Sequence, residues 1–103
     1  MSTNVLLLGR TAIVVDDAHA QLELPEVEIY SGTSLEDLRK VFAQTRIDHV
    51  IMGAGLDLEL RLSIVREVFE SSDSTTVHMK DFGSGPQGFL PFVRAVLIGL
   101  REL

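Results

Sequence analysis

Short apolar runs alternate along this chain with longer stretches of helical period. Val5-Leu6-Leu7-Leu8 is unbroken and apolar, whereas Val27-Glu28-Ile29-Tyr30 alternates as a half-buried strand does. Ile47-Asp48-His49-Val50-Ile51-Met52 is mostly apolar, the pattern of a central strand covered on both faces. Thr75-Thr76-Val77-His78-Met79 supplies a fourth strand. Between these runs the period changes. Leu35, Leu38, Val41 and Phe42 form the buried stripe of a helix that Ser34 caps and that ends near Arg46, with Asp37 completing a capping box. Over residues 57–70, Leu58, Leu62, Val65 and Phe69 share one face and are expected to be buried. Residues 86–89 lead into a last helix ending near Leu103, with Pro91 in its first turn, where proline is tolerated.

The stretch VLLLGRTAIVV, residues 5–15, admits two readings. In the first, Gly9 turns the strand into a helix over residues 11–23, with Val14, Val15, Ala18 and Leu22 on one side. In the second, Val5-Leu8 folds back on Ala12-Val15 as a hairpin across Gly9-Arg10. The hairpin leaves only residues 18–24 before the next strand, short of the dozen or so that a parallel crossover needs. Strand-turn-helix is the favoured reading. Strand-helix alternation with short loops then predicts an α/β fold, a small three-layer Rossmann-like or flavodoxin-like sandwich in a single domain over residues 1–103. About four parallel strands carry helices on both faces.

Most glycines follow strand ends: Gly9, Gly32, Gly53, Gly55, and then Gly83, Gly85 and Gly88. In an open parallel sheet those ends share one edge, where ligands bind. Backbone N–H groups and helix N-termini favour an anion there. Arg10 and Lys80 add charge, and Thr11, Ser31, Thr33 and Ser84 add hydroxyls. The candidate binding set is Gly9, Arg10, Thr11, Ser31, Gly53, Ala54, Gly55 and Lys80.

Val5 to Ala12 resembles the opening of the short-chain dehydrogenase superfamily, above all its atypical NAD(P)-binding members. There a strand leads into G-x-T-G-x-x-G. The stretches 27–38 and 48–55 are similar to later strand ends of that family. The resemblance implies NAD(P) or another adenine nucleotide as ligand. Gly9 and Thr11 match, but Ala12 and Val15 stand at the second and third glycine positions. The interval from Thr11 to Val27 is short by one strand-helix unit. The Tyr-x-x-x-Lys catalytic pair is absent, since the sole tyrosine, Tyr30, has Ser34 four residues on. A weaker resemblance is to response-regulator receiver domains, but Gly53 stands where their phosphoacceptor aspartate would be. Asp16-Asp17 fall inside the expected first helix.

Composition narrows the classes. The net charge of −6 and scattered Lys and Arg argue against nucleic acid. No cysteine is present, so thiolate chemistry and cysteine-bound zinc are excluded. The start Met-Ser-Thr-Asn is unlike a signal peptide and no segment is apolar enough to span a bilayer, so a cytoplasmic location without membrane contact is expected. Asp16 with His19, and His49 with His78, lack a third clustered ligand, so no metal is expected. Ser31 and Ser84 have no evident base, and Lys80-Asp81 reads first as a surface pair.

A surplus of apolar positions remains. Phe89, Phe92, Val96 and Leu100 on the last helix, and Leu60, Ile64 and Val68 on the preceding one, are expected to form a homodimer surface. The leading functional expectation is a non-catalytic module binding a nucleotide or small anion. The alternatives are a homodimeric scaffold without ligand and an enzyme whose site is shared across a dimer.

Overall fold

The computed structural model describes residues 3–11 and 26–101. Four strands, β1 (Thr3–Leu8), β2 (Val27–Gly32), β3 (His49–Met52) and β4 (Thr76–Met79), make one parallel sheet in the order β2-β1-β3-β4. Helices α1 (Leu35–Gln44) and α2 (Leu58–Ser71) cover one face. Helix α3 (Phe89–Arg101), entered through a 3-10 turn at Pro86–Gly88, covers the other. The fold is α/β in three layers. Pro91 lies in the first turn of α3, where its missing N–H removes no helical bond.

Val5, Leu6, Leu7 and Leu8 are all fully buried, with alternate side chains serving the two faces. Val5 and Leu7 join Ile51 beneath Phe89, Val93 and Leu97 of α3. Leu6 and Leu8 join Val50 and Met52 beneath Leu38 of α1 and Ile64 and Val68 of α2. An apolar run with no period is what such double coverage demands.

Both hydrogen-bonding edges of β1 are occupied, by β2 on one side and β3 on the other. This excludes the hairpin, which would need one of those edges for residues 12–15. The helix expected over residues 11–23, including Val15, Asp16, Asp17 and His19, lies outside the described residues beyond Thr11. The β3 ladder is extended at its start, where the Asp48 N–H donates to the Asn4 carbonyl (2.8 Å) and Asp48 Oδ2 accepts from the Asn4 N–H (2.9 Å).

The apolar ridges of α2 are exchanged relative to expectation. Ile64 and Val68 are fully buried and Leu60 packs against the same cluster, whereas Leu58, Leu62 and Phe69 are exposed. Ile64 and Val68 therefore cannot serve as an outward docking ridge. Leu56, buried one turn before Leu60, sets the phase by anchoring the incoming loop in the core. On α3, Phe89 is likewise core, while Phe92 and Val96 are half-buried against it. Of the outward set expected on that helix, Leu100 is also only half-exposed.

Ile64→Ala should cost about 2–5 kcal/mol, since it leaves a cavity under α2. Leu62→Ala should stay within about 0.5 kcal/mol. Urea unfolding of both variants measures the difference, and equal losses would reverse the assignment of the two ridges.

Candidate functional site

The strand order places a topological switch point between β1 and β3. From β1 the chain crosses to β2 on one side, then returns past β1 to β3 on the other. The loops after β1 and β3 thus diverge around a crevice, the usual ligand position in open parallel sheets. Gly9 closes the β1 end by donating its N–H to the Gly32 carbonyl (3.2 Å), and Gly53 donates to the Leu8 carbonyl (3.0 Å). Arg10 is exposed, yet its stem lies on Gly55: a Cβ built at Gly55 would stand 3.0 Å from Arg10 Cβ. Only glycine leaves that approach open. The structure therefore brings Arg10 against Gly55, with the loop that starts at Gly9 beside the one that starts at Gly53. Arg10 has no ion pair with any described residue.

The three helix entrances differ. At α1, Ser34 Oγ accepts from the Asp37 N–H (3.1 Å), and Asp37 Oδ2 accepts from the Thr33 N–H (2.8 Å) and hydroxyl (3.3 Å). The expected capping box is present, with its carboxylate reaching one residue further back than usual. Those bonds, led by the one from the Thr33 N–H, hold the Asp37 carboxyl below its ordinary pKa. A Cβ at Gly32 would lie 2.8 Å from Asp37 Cβ, so this entrance is packed shut. Helix α3 begins on its 3-10 turn. At α2, by contrast, Asp57 occupies the N-cap and its side chain makes no capping bond. No side chain covers the first turn of α2 from that position, and it opens next to Arg10 and Gly55.

Arg61 belongs to the same corner and was not singled out in the sequence. Its Nε donates to the Leu56 carbonyl (3.1 Å), bracing the loop from the first turn of α2. Its place four residues after Asp57, one helical turn on, was the available signal.

Lys80 and Ser31 are placed elsewhere. Lys80 follows β4, and its N–H donates to the Met52 carbonyl (3.0 Å). Its side chain is buried against Gly88, at the turn before α3, with Nζ donating to the Asp81 carbonyl (2.9 Å). Asp81 directs its own carboxylate to the Ser84 hydroxyl and N–H, both at 2.9 Å, which lowers its pKa. Ser31 is paired in register with Leu7, within β2 and on the α3 side of the sheet, and its Oγ is buried without a hydrogen-bond partner among the described residues.

A second polar group lies beside α3. His49 Nδ1 and His78 Nε2 both contact Thr76 Oγ1, at 2.6 and 2.9 Å, and the rings meet edge to face. Burial holds both imidazoles below their ordinary pKa, and for His78 the neighbouring His49 adds to this. Among the described residues no group of three or more His, Asp or Glu is arranged to hold a metal, and no helix is long and apolar enough to cross a membrane.

Compared with protein-family models, curated proteins and solved structures, the chain matches none of them.

The histidine pair gives a pH dependence of defined sign. Because the folded-state pKa values are depressed, the unfolded chain takes up these protons first as pH falls. Stability should be complete above about pH 6.5 and decline below it, through the folded pKa values. Urea midpoints at pH 7.5 and 5.5 should differ more in the native chain than in His49→Asn/His78→Asn. An equal difference would remove the pair as its source.

Replacing Ser34 by alanine should cost about 1 kcal/mol through loss of the α1 cap. Thermal unfolding reads this directly, and an unchanged midpoint would mean that Asp37 alone holds the entrance.

Proposed function

We propose that the β1–β3 crevice binds a nucleotide or another small phosphate-bearing anion, and that the domain is a binding module without redox machinery of its own. One observation carries the reading. Arg10, unpaired among the described residues, lies against Gly55 at the entrance to α2, whose N-cap side chain is disengaged. A guanidinium binds phosphate oxygens through a planar fork, and first-turn N–H groups with the positive end of the helix dipole add to it. Arg61 supplies a second guanidinium to the corner, beyond the Leu56 bond of its Nε.

The neighbouring acids favour a nucleotide over bare phosphate. Asp57 and Glu59 are exposed at the same helix entrance. Carboxylates repel a phosphate but accept hydrogen bonds from sugar hydroxyls. A ligand offering both groups, such as NAD(P), ADP-ribose or ATP, satisfies both parts of the corner. The finer reading of a trimmed, degenerate dinucleotide-binding domain rests on the Gly9-Arg10-Thr11 turn at a switch point and on the strand order around it. Absence of the Tyr-x-x-x-Lys pair favours binding over hydride transfer. In the receiver reading, Gly53 offers no carboxylate at the end of β3.

Titration calorimetry against NAD, NADP, ADP-ribose and ATP tests the proposal. Micromolar binding of at least one nucleotide is expected. Arg10→Glu should abolish it, and Gly55→Val, which displaces the Arg10 stem, should weaken it by about tenfold or more. Both should retain the native circular dichroism spectrum. Unchanged affinity in Arg10→Glu would remove this corner as the site, and no binding of any nucleotide would overturn the function.

A further inference from the structure

Helix α2 carries two apolar ridges, and the core takes one of them in full. Leu60, Ile64 and Val68 pack on the sheet side, while Leu58, Leu62 and Phe69 are 52%, 49% and 59% exposed, and Val65 between them is half-buried at the margin of the same cluster. The direction of the second ridge follows from an ion pair. Arg39 of α1 binds Glu67 of α2 through two nitrogens, at 3.0 and 3.1 Å, so Glu67 marks the side of α2 that faces α1. At 100° per residue the second ridge lies about 160–220° around the helix from Glu67. It therefore points away from α1, over the β4 flank of the sheet, where Met79 is also exposed.

Three half-exposed large apolar side chains on one helix are more than a solvated face ordinarily carries. Their spacing is informative as well. Positions 58, 62, 65 and 69 step by four, three and four, the narrow seam of a two-helix coiled coil. Glu59 and Arg66 stand at equivalent places, each directly after a seam residue and on its solvent side. In an antiparallel pair, Leu58 meets Phe69 of the second copy and Leu62 meets its Val65. Glu59 then comes opposite Arg66 of the second copy, and the two-fold axis repeats the pair. Parallel pairing would instead set Arg61 against Arg66 of the second copy. Arg66 binds Glu70 on its own helix through Nε (2.6 Å), leaving its terminal nitrogens for Glu59 across the axis.

We propose that a second copy of this chain docks on this ridge, α2 against α2 and antiparallel, with Leu58, Leu62, Val65 and Phe69 as the seam and two Glu59–Arg66 pairs along its solvent-side flank. This moves the dimer surface from Ile64 and Val68 to the opposite side of the same helix. It does not depend on the ligand reading.

Sedimentation velocity of the full chain provides the test. A dimer is expected at about 100 μM, and Leu62→Lys should render it monomeric. Glu59→Arg should raise the dimer dissociation constant by about tenfold or more, and Glu59→Arg with Arg66→Glu should recover most of that loss. All these positions are exposed, and circular dichroism checks that each variant is folded. A wild-type monomer at that concentration, or a dimer that persists in Leu62→Lys, overturns the proposal. A dimer broken by Leu62→Lys but indifferent to Glu59→Arg overturns the antiparallel seam.

Discussion

Strand β1 is hydrogen-bonded along both edges and covered on both faces, and the other elements take their positions from it. Its side chains from Val5 to Leu8 are all fully buried and serve both hydrophobic clusters, two on each face. A strand enclosed in this way cannot alternate, because neither face is wet. It also cannot begin a hairpin, because each of its backbone edges already has a parallel partner. The chain leaves β1 toward β2 on one side and leaves β3 toward β4 on the other, and the gap between the loops after β1 and β3 is the crevice.

That constraint links the fold to the proposed chemistry. Loops that part at the end of a central strand expose backbone and leave space, and the chain fills the space with glycine and arginine. At the neighbouring β2 end the geometry is the reverse: Gly32 is pressed against Asp37, whose carboxylate engages Thr33. One strand end is thus sealed by the protein's own anion, and the adjacent one retains a cation without a partner among the described residues. The contrast is electrostatic, and it distinguishes the corner at Arg10 from the other glycine turns. Lys80, at the same edge in sequence terms, is drawn beneath the turn that begins α3 and has its Nζ on a backbone carbonyl.

Helix α2 carries parts of both proposed sites, and Glu59 in its first turn belongs to each. Its first turn contributes to the crevice, its inner ridge to the core, and its outer ridge points away from α1. A helix over a sheet needs one buried stripe, and the protomer leaves Leu58, Leu62 and Phe69 of the second exposed.

The sequence by itself determined the four strands, the three described helices, the capping box at Ser34 and the parallel α/β class. Each of these is local: a period, a cap or a run of residues carries the signal, and a crossover of limited length can hold only certain elements. Gly9, Arg10, Thr11 and Gly53 to Gly55 were legible as strand-end residues for the same reason. Tertiary structure decided what depends on neighbours. The two ridges of α2 have equally good helical spacing, and only the docking of Leu56 into the core selected Ile64 and Val68 for burial. The contact of Arg10 with Gly55 required the strand order, which no local period encodes. Lys80 was turned inward by the approach of Gly88, a residue from another element. Periodicity states that a helix has an apolar side, but the sheet beneath it decides which side is inside.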